Sequence, residues 1–130
     1  NIKITSKTPS LDVDSDKLKD EASIEKAGWE LLRYLQLDSL LITMGEQGMK
    51  LFETGKKVVS IHTKAKEVFD VTGAGDAVIS VFTLALTAGA TKAQAADMAN
   101  FAAGIVVGKT GAVPVEKDEL VSVLKENELY

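Results

Sequence analysis

Apolar residues return at helical spacing, at alternating spacing and in unbroken runs along these 130 residues, and each pattern predicts a different element. Ile24, Ala27, Leu31 and Leu35 lie three or four residues apart, so a helix is predicted from a Ser23 N-cap to about Leu35 with those residues on its inner face. Trp29 is expected to pack partly against its surroundings. Ser39 to Met44 is a nearly continuous apolar run, predicted to be a strand buried on both faces and ended by Gly45 and Gly48. Met49 to Glu53 and Lys57 to His62 are predicted as two strands joined by a hairpin turn at Thr54-Gly55-Lys56, with Gly55 supplying the positive φ. Lys66 to Val71 reads as a further extended segment.

From about Gly75 to Ala88 the residues Val78, Ile79, Val81, Phe82, Leu84 and Leu86 spread around the circumference of a helix, which is predicted to be buried on most sides. Gly89 ends it, and Thr91-Lys92-Ala93-Gln94 reads as a capping box opening the next helix. Alanines at 93, 95, 96, 99, 102 and 103 keep that helix thin and permit close approach to a neighbour. Lys109-Thr110-Gly111-Ala112 connects to a last helix from about Glu116 to Glu126, with Leu120, Val121 and Leu124 inward. Residues 1–22 form a polar lead-in carrying Pro9, with no sharp motif up to Asp20. The sum is one α/β domain, a mixed sheet flanked by helices.

Charge and composition narrow the function. A net charge of −4, scattered lysines and Arg33 as the sole arginine argue against a nucleic-acid surface. No apolar run reaches the ~18 residues of a membrane span, and no signal peptide is recognisable. The absence of cysteine fits a reducing compartment, so a cytoplasmic protein is expected. There is no Gly-x4-Gly-Lys-Ser/Thr run, no Gly-x-Gly-x-x-Gly and no His-x-Gly-His stretch, which removes the P-loop, dinucleotide and nucleotidyl-transfer readings. Lone His62 and Lys109 read as solvated side chains.

The chemistry concentrates in Val68-Phe69-Asp70-Val71-Thr72-Gly73-Ala74-Gly75-Asp76. Gly73 and Gly75 permit positive φ and close backbone approach, so successive N–H groups of Gly73, Ala74, Gly75 and Asp76 are expected to point at one anionic oxygen near a helix N-terminus. Asp76 falls in the first helical turn, where its carboxylate is placed to accept a hydroxyl proton. An anion site beside a base is what phosphoryl transfer to an alcohol requires.

This run and the helix after it resemble the C-terminal signature of the ribokinase-like, or PfkB, carbohydrate kinases, Asp-x-x-Gly-Ala-Gly-Asp. The resemblance runs from about Leu40 to Leu120, and Leu41 to Met49, Glu67 to Asp76 and Val106 to Gly111 make it look closest to the kinase domain of ADP-heptose synthesis proteins. It implies a ribokinase-like, Rossmann-like core of which this chain is the C-terminal, nucleotide-binding half. The sugar pocket and lid sheet would lie in a missing N-terminal part, and a homodimer is expected of the full-length protein. Asp76 becomes the catalytic base, and Thr43, Gly45, Gly48 and Asn100 become contacts of ATP. Asp70 and the carbonyl groups of Thr72, Lys109 and Gly111, with one near Val106, become holders of a potassium ion. The implied reaction moves the γ-phosphate of ATP, with Mg2+ on the phosphates, to a sugar or sugar phosphate, most specifically to position 1 of D-glycero-D-manno-heptose 7-phosphate. Two departures stand out. Val81 replaces the usual Gly or Ala on the helix, and the Asn-x-x-Glu motif that helps place magnesium is missing, with Thr8-Pro9-Ser10 as a trace of its surroundings. The competing readings are a hydroxymethylpyrimidine or other vitamin kinase sharing the Gly-x-Gly-Asp loop, and a noncatalytic nucleotide-binding module.

Overall fold

A computed structural model describes Leu18 and residues 20–129, so Thr8-Pro9-Ser10 and most of the lead-in lie outside the described residues. The elements run α1 (Glu21–Tyr34), β1 (Ser39–Thr43), a 3₁₀ turn (Gly45–Gln47), β2 (Met49–Glu53), β3 (Val59–Ile61), α2 (Ala74–Thr87), α3 (Lys92–Val107) and α4 (Lys117–Glu126). The strands form one sheet in the order β1-β2-β3, with Ser39 opposite Glu53, Thr43 opposite Met49 and Met49 opposite Ile61. Among the described residues this sheet is antiparallel throughout rather than mixed, because its three strands follow one another through short turns.

Helices on both faces decide which strand is buried. Met49 and Leu51 of β2 point toward α3 and join Ile61, Val78, Ala96 and Ala99 in the core. Lys50 and Phe52 point the other way, toward α1. The doubly covered strand is therefore β2, not β1, which is only half-buried at the sheet edge. Gly28 lets α1 come down on Phe52, since a Cβ there would meet the ring at 2.2 Å. Trp29 packs partly, edge-on to the same ring at 5.4 Å. The inner face of α1 is thus Gly28 and Leu32, while Leu35 of the predicted stripe is exposed.

The helix ends follow local chemistry. The N-cap of α1 is Asp20; Ser23, the third residue of the helix, closes the same capping box, so the helix starts earlier than predicted and takes over the end of the lead-in. Thr91 and Gln94 form the expected box on α3. Ala95, Ala96, Ala99 and Ala102 have no exposed surface, as expected of a thin helix approached closely by its neighbours. Gly89, at φ 95°, comes directly after Ala88, the C-cap of α2. That helix is not buried on most sides: it packs chiefly on α3, burying Val78 and Ala85 and leaving Ile79 and Leu84 two-thirds exposed.

Lys50 is the one charged side chain buried among the described residues, at 1% exposure. Its Nζ donates to Glu21 Oε1 at 2.6 Å, Glu25 Oε1 at 2.8 Å and Ser60 Oγ at 2.9 Å, using all three ammonium hydrogens and tying α1 to the sheet. Burial alone pushes the Lys50 ammonium down, but the hydrogen bonds and charges of Glu21 and Glu25 outweigh it and leave the group above its ordinary value. The bond to Lys50 holds the Glu21 carboxyl below its ordinary value. The Glu21 contribution to stability is present above about pH 4.3, the unfolded value, and is lost as pH falls through the lower folded value. The Lys50 contribution is present below about pH 10.4 and is lost as pH rises through its higher folded value. Glu21→Gln is expected to flatten the acid limb of a plot of Tm against pH. An acid limb as steep as the parent's would remove Glu21 from acid unfolding.

Candidate active site

The segment leading into the glycine loop is fixed by the end of α3. Val107 O accepts from Phe69 N at 2.7 Å and from Asp70 N at 3.3 Å. Because both amides serve one carbonyl, Lys66 to Val71 makes no ladder and is a strap rather than a strand. Gly104, on α3, makes room for the chain leading into the strap: a Cβ there would stand 3.3 Å from Ala65 N.

Asp70 holds the loop to the connection after α3. Its Oδ1 accepts from Thr72 N at 2.9 Å and its Oδ2 from Gly111 N at 3.2 Å. Hydrogen bonds from the Thr72 side chain and amide, and from the Gly111 amide, keep its carboxyl below the ordinary aspartate value. Lys109, expected to be solvated, is half-buried, with its Nζ bonded to Glu119 Oε2 at 2.6 Å and its amide to Val106 O at 3.0 Å.

Gly73 is the N-cap of α2 at φ 82°, the left-handed conformation expected of it. Gly75 differs from expectation: it lies in the first turn with no positive φ, and a Cβ there would meet nothing within 4 Å. Its role is openness, not backbone freedom. The Ala74 amide donates to Val71 O at 3.2 Å, closing the turn. Gly75 and Asp76 follow in the first turn, where an N–H has no carbonyl one turn back to bond. Their amides, with the helix dipole behind them, are the donors available to an anion.

The loop divides two depressions. On one side a cleft of about 450 Å³ is lined by Ala74 and Gly75 together with Thr43, Gly45, Gly48 and Asn100. Residues spread over 58 positions thus meet on one cleft. On the other side a groove of about 430 Å³ is lined by Gly73, exposed Asp76, Val81 and the 112–115 segment. Val81 thus lines the same groove as Asp76. Val68 on the strap also lines the cleft, as do Thr63 and Ala65 just before it, which no motif announced. Asn100 is no helix-surface amide: it is buried at 3% exposure and its Nδ2 donates to His62 O at 2.6 Å. The His62 side chain stays exposed as expected.

Among the described residues no group of three or more His, Cys, Asp or Glu side chains is placed to hold a metal ion. A magnesium ion carried on nucleotide phosphates calls for only one or two carboxylates and does not depend on such a group. Asp70, the carboxylate that the resemblance assigns to a monovalent cation, has both oxygens accepting from backbone amides, those of Thr72 and Gly111. Nor is any described helix long and apolar enough to cross a membrane.

Comparison with known proteins agrees with this geometry. Residues 11–118 match the model of the pfkB family of carbohydrate kinases. A bifunctional protein HldE of Nitrosococcus oceani is 56% identical over 105 residues, which is 81% of this chain and 22% of that protein. One of Desulfatibacillum aliphaticivorans is 47% identical over 110 residues, 85% of this chain and 22% of that protein. The chain thus spans about a fifth of the length of these relatives. Among solved structures, the ribokinase of Arabidopsis thaliana, complexed with ribose and ATP, superposes with a TM-score of 0.72 at 25% identity, covering 82% of this chain and 35% of that one. Phosphofructokinase-2 of Escherichia coli, complexed with potassium, gives 0.76 at 16% identity, covering 86% and 36%, and supports the fold.

Proposed function

Since the chain belongs to the pfkB family of carbohydrate kinases, we propose that it is the nucleotide-binding and proton-accepting part of a cytoplasmic ATP-dependent sugar kinase. The most specific form of the reading is a kinase for position 1 of D-glycero-D-manno-heptose 7-phosphate. The vitamin-kinase alternative is not favoured by the HldE relatives. The observation that carries the reading is the loop between two depressions, with Gly75 facing one and Asp76 the other.

Each residue then has a task. Thr43, Gly45, Gly48 and Asn100 line the side where ATP enters. The amides of Gly75 and Asp76 hold the negative charge of the transferring phosphoryl group, aligned before reaction and therefore without reorganisation cost. Asp76 takes the hydroxyl proton from the sugar on the groove side. Asp70 bridges the loop to Gly111 and holds the amides in place. A potassium ion on Asp70 and the Thr72, Lys109 and Gly111 carbonyl groups would add fixed positive charge beside the loop.

The test uses the full-length protein with ATP and a panel of sugar phosphates, sugars and hydroxymethylpyrimidine. Phosphoryl transfer to the heptose phosphate is expected; transfer to the pyrimidine alone would overturn the sugar reading. Gly75→Leu fills open space in the cleft without straining φ. It should weaken ATP binding about tenfold or more, with Tm unchanged within a few degrees. Unchanged ATP affinity would place the nucleotide elsewhere.

A further inference from the structure

Between α3 and α4 the chain runs from Gly108 to Glu116 without regular secondary structure. This connection meets the candidate site twice. The amide of Gly111, at φ 80°, donates to Asp70 Oδ2 at 3.2 Å, and Ala112, Val113, Pro114 and Val115 line the groove that Asp76 also lines. An ion pair closes the two ends of the connection. Lys109 Nζ donates to Glu119 Oε2 at 2.6 Å, joining the residue after the C-cap of α3 to the first turn of α4. Each charge suits its place, because a cation beyond the C-terminus of one helix and an anion in the first turn of another both meet a favourable helix dipole. The two side chains are 28% and 36% exposed, so water screens the pair and it contributes little to stability. Glu119 itself has a fixed base, since α4 packs on α3 and buries Leu124.

We infer that Glu119 is a positioning residue for phosphoryl transfer, acting through Lys109. Closing the chain at 109 and 119 limits the paths open to the connection between them. That keeps Gly111 on Asp70, Asp70 on the glycine loop, and the 112–115 segment on the groove. Neither Lys109 nor Glu119 lines the cleft or the groove, so replacing them leaves the lining intact and changes only where it stands. This role rests on the sugar-kinase reading above and adds to it a residue outside both depressions.

The experiment compares the full-length parent with Glu119→Gln, Lys109→Met, the double variant and Lys109→Arg, using ATP and D-glycero-D-manno-heptose 7-phosphate. Glu119→Gln and Lys109→Met are each expected to lower kcat/KM for the acceptor about fivefold, with ATP affinity within about twofold and Tm within about 3 °C of the parent. The double variant should lose no more than either single one, since the same interaction is removed each way. Lys109→Arg keeps the cation and should stay within about twofold of the parent. Hydrogen exchange supplies a readout independent of turnover: the amides of residues 70–76 should exchange about threefold faster in Glu119→Gln. Parent-like acceptor kcat/KM, losses that add in the double variant, or faster exchange confined to 109–119 overturns the positioning role and leaves the kinase reading standing. If the parent transfers phosphate to no sugar or sugar phosphate, the kinase reading falls and this inference with it. Should Lys109→Met fail to fold, Glu119→Gln and Lys109→Arg decide the matter.

Discussion

Asp76→Asn in the full-length protein is expected to lower kcat about 10²-fold or more while ATP affinity stays within a few-fold. The substitution keeps the size of the side chain and removes the proton acceptor. Asp76 is exposed in the first turn of α2 and faces the groove, whereas the cleft is lined on the other side of the loop by Ala74 and Gly75. Loss of the carboxylate should therefore act on the acceptor and not on the nucleotide. The amide donors remain in Asp76→Asn, so charge stabilisation persists and activity should not vanish. Steady-state kinetics at saturating ATP, with nucleotide titration in parallel, separates these effects. A kcat near that of the parent would remove Asp76 from the base role, and a matching loss of ATP affinity would move it to the nucleotide.

Gly48→Ala is expected to destabilise the chain by about 3 kcal/mol or more, through overpacking and backbone strain together. Gly48 has φ 90° and stands so close to β3 that a Cβ would meet Ile61 O at 2.0 Å and Thr63 N at 2.9 Å. These are backbone atoms, so no rotamer change relieves the clash. Gly48 O also accepts from Met44 N at 2.8 Å, closing the turn between β1 and β2. Since Gly45 and Gly48 both line the cleft, the variant should lose nucleotide binding with its fold. Gly45→Ala is the informative contrast: it has a positive φ of 58° but nothing within 4 Å of a new Cβ, so its cost should be near 1 kcal/mol. Urea unfolding of the two variants measures the difference. Equal midpoints would show that the approach to Ile61 is not what makes glycine necessary at position 48.

The sequence by itself determined what depends on near neighbours. The capping box of α3 is made within four residues, the stop after α2 needs only Gly89, and the left-handed entry to α2 needs only Gly73. The glycine loop and its two aspartates were legible for the same reason. Their spacing fixes the turn, the helix N-terminus and the placement of Asp76 in the first turn. Tertiary structure decided what depends on distant partners. Leu40, Leu41 and Ile42 have the apolar run of a central strand, yet β1 lies at the edge of the described sheet, because order in a sheet is set by pairing and not by composition. Lys50, a charged residue inside the short strand β2, is buried because Glu21, Glu25 and Ser60 from two other elements satisfy its charge. Ile79 and Leu84 read as core and are exposed, because α2 packs chiefly on α3 among the described elements. Asn100 shows the same division within the site. Its helix was legible from the capping box that opens it, but the bond of its amide to the His62 carbonyl depends on a partner 38 residues away.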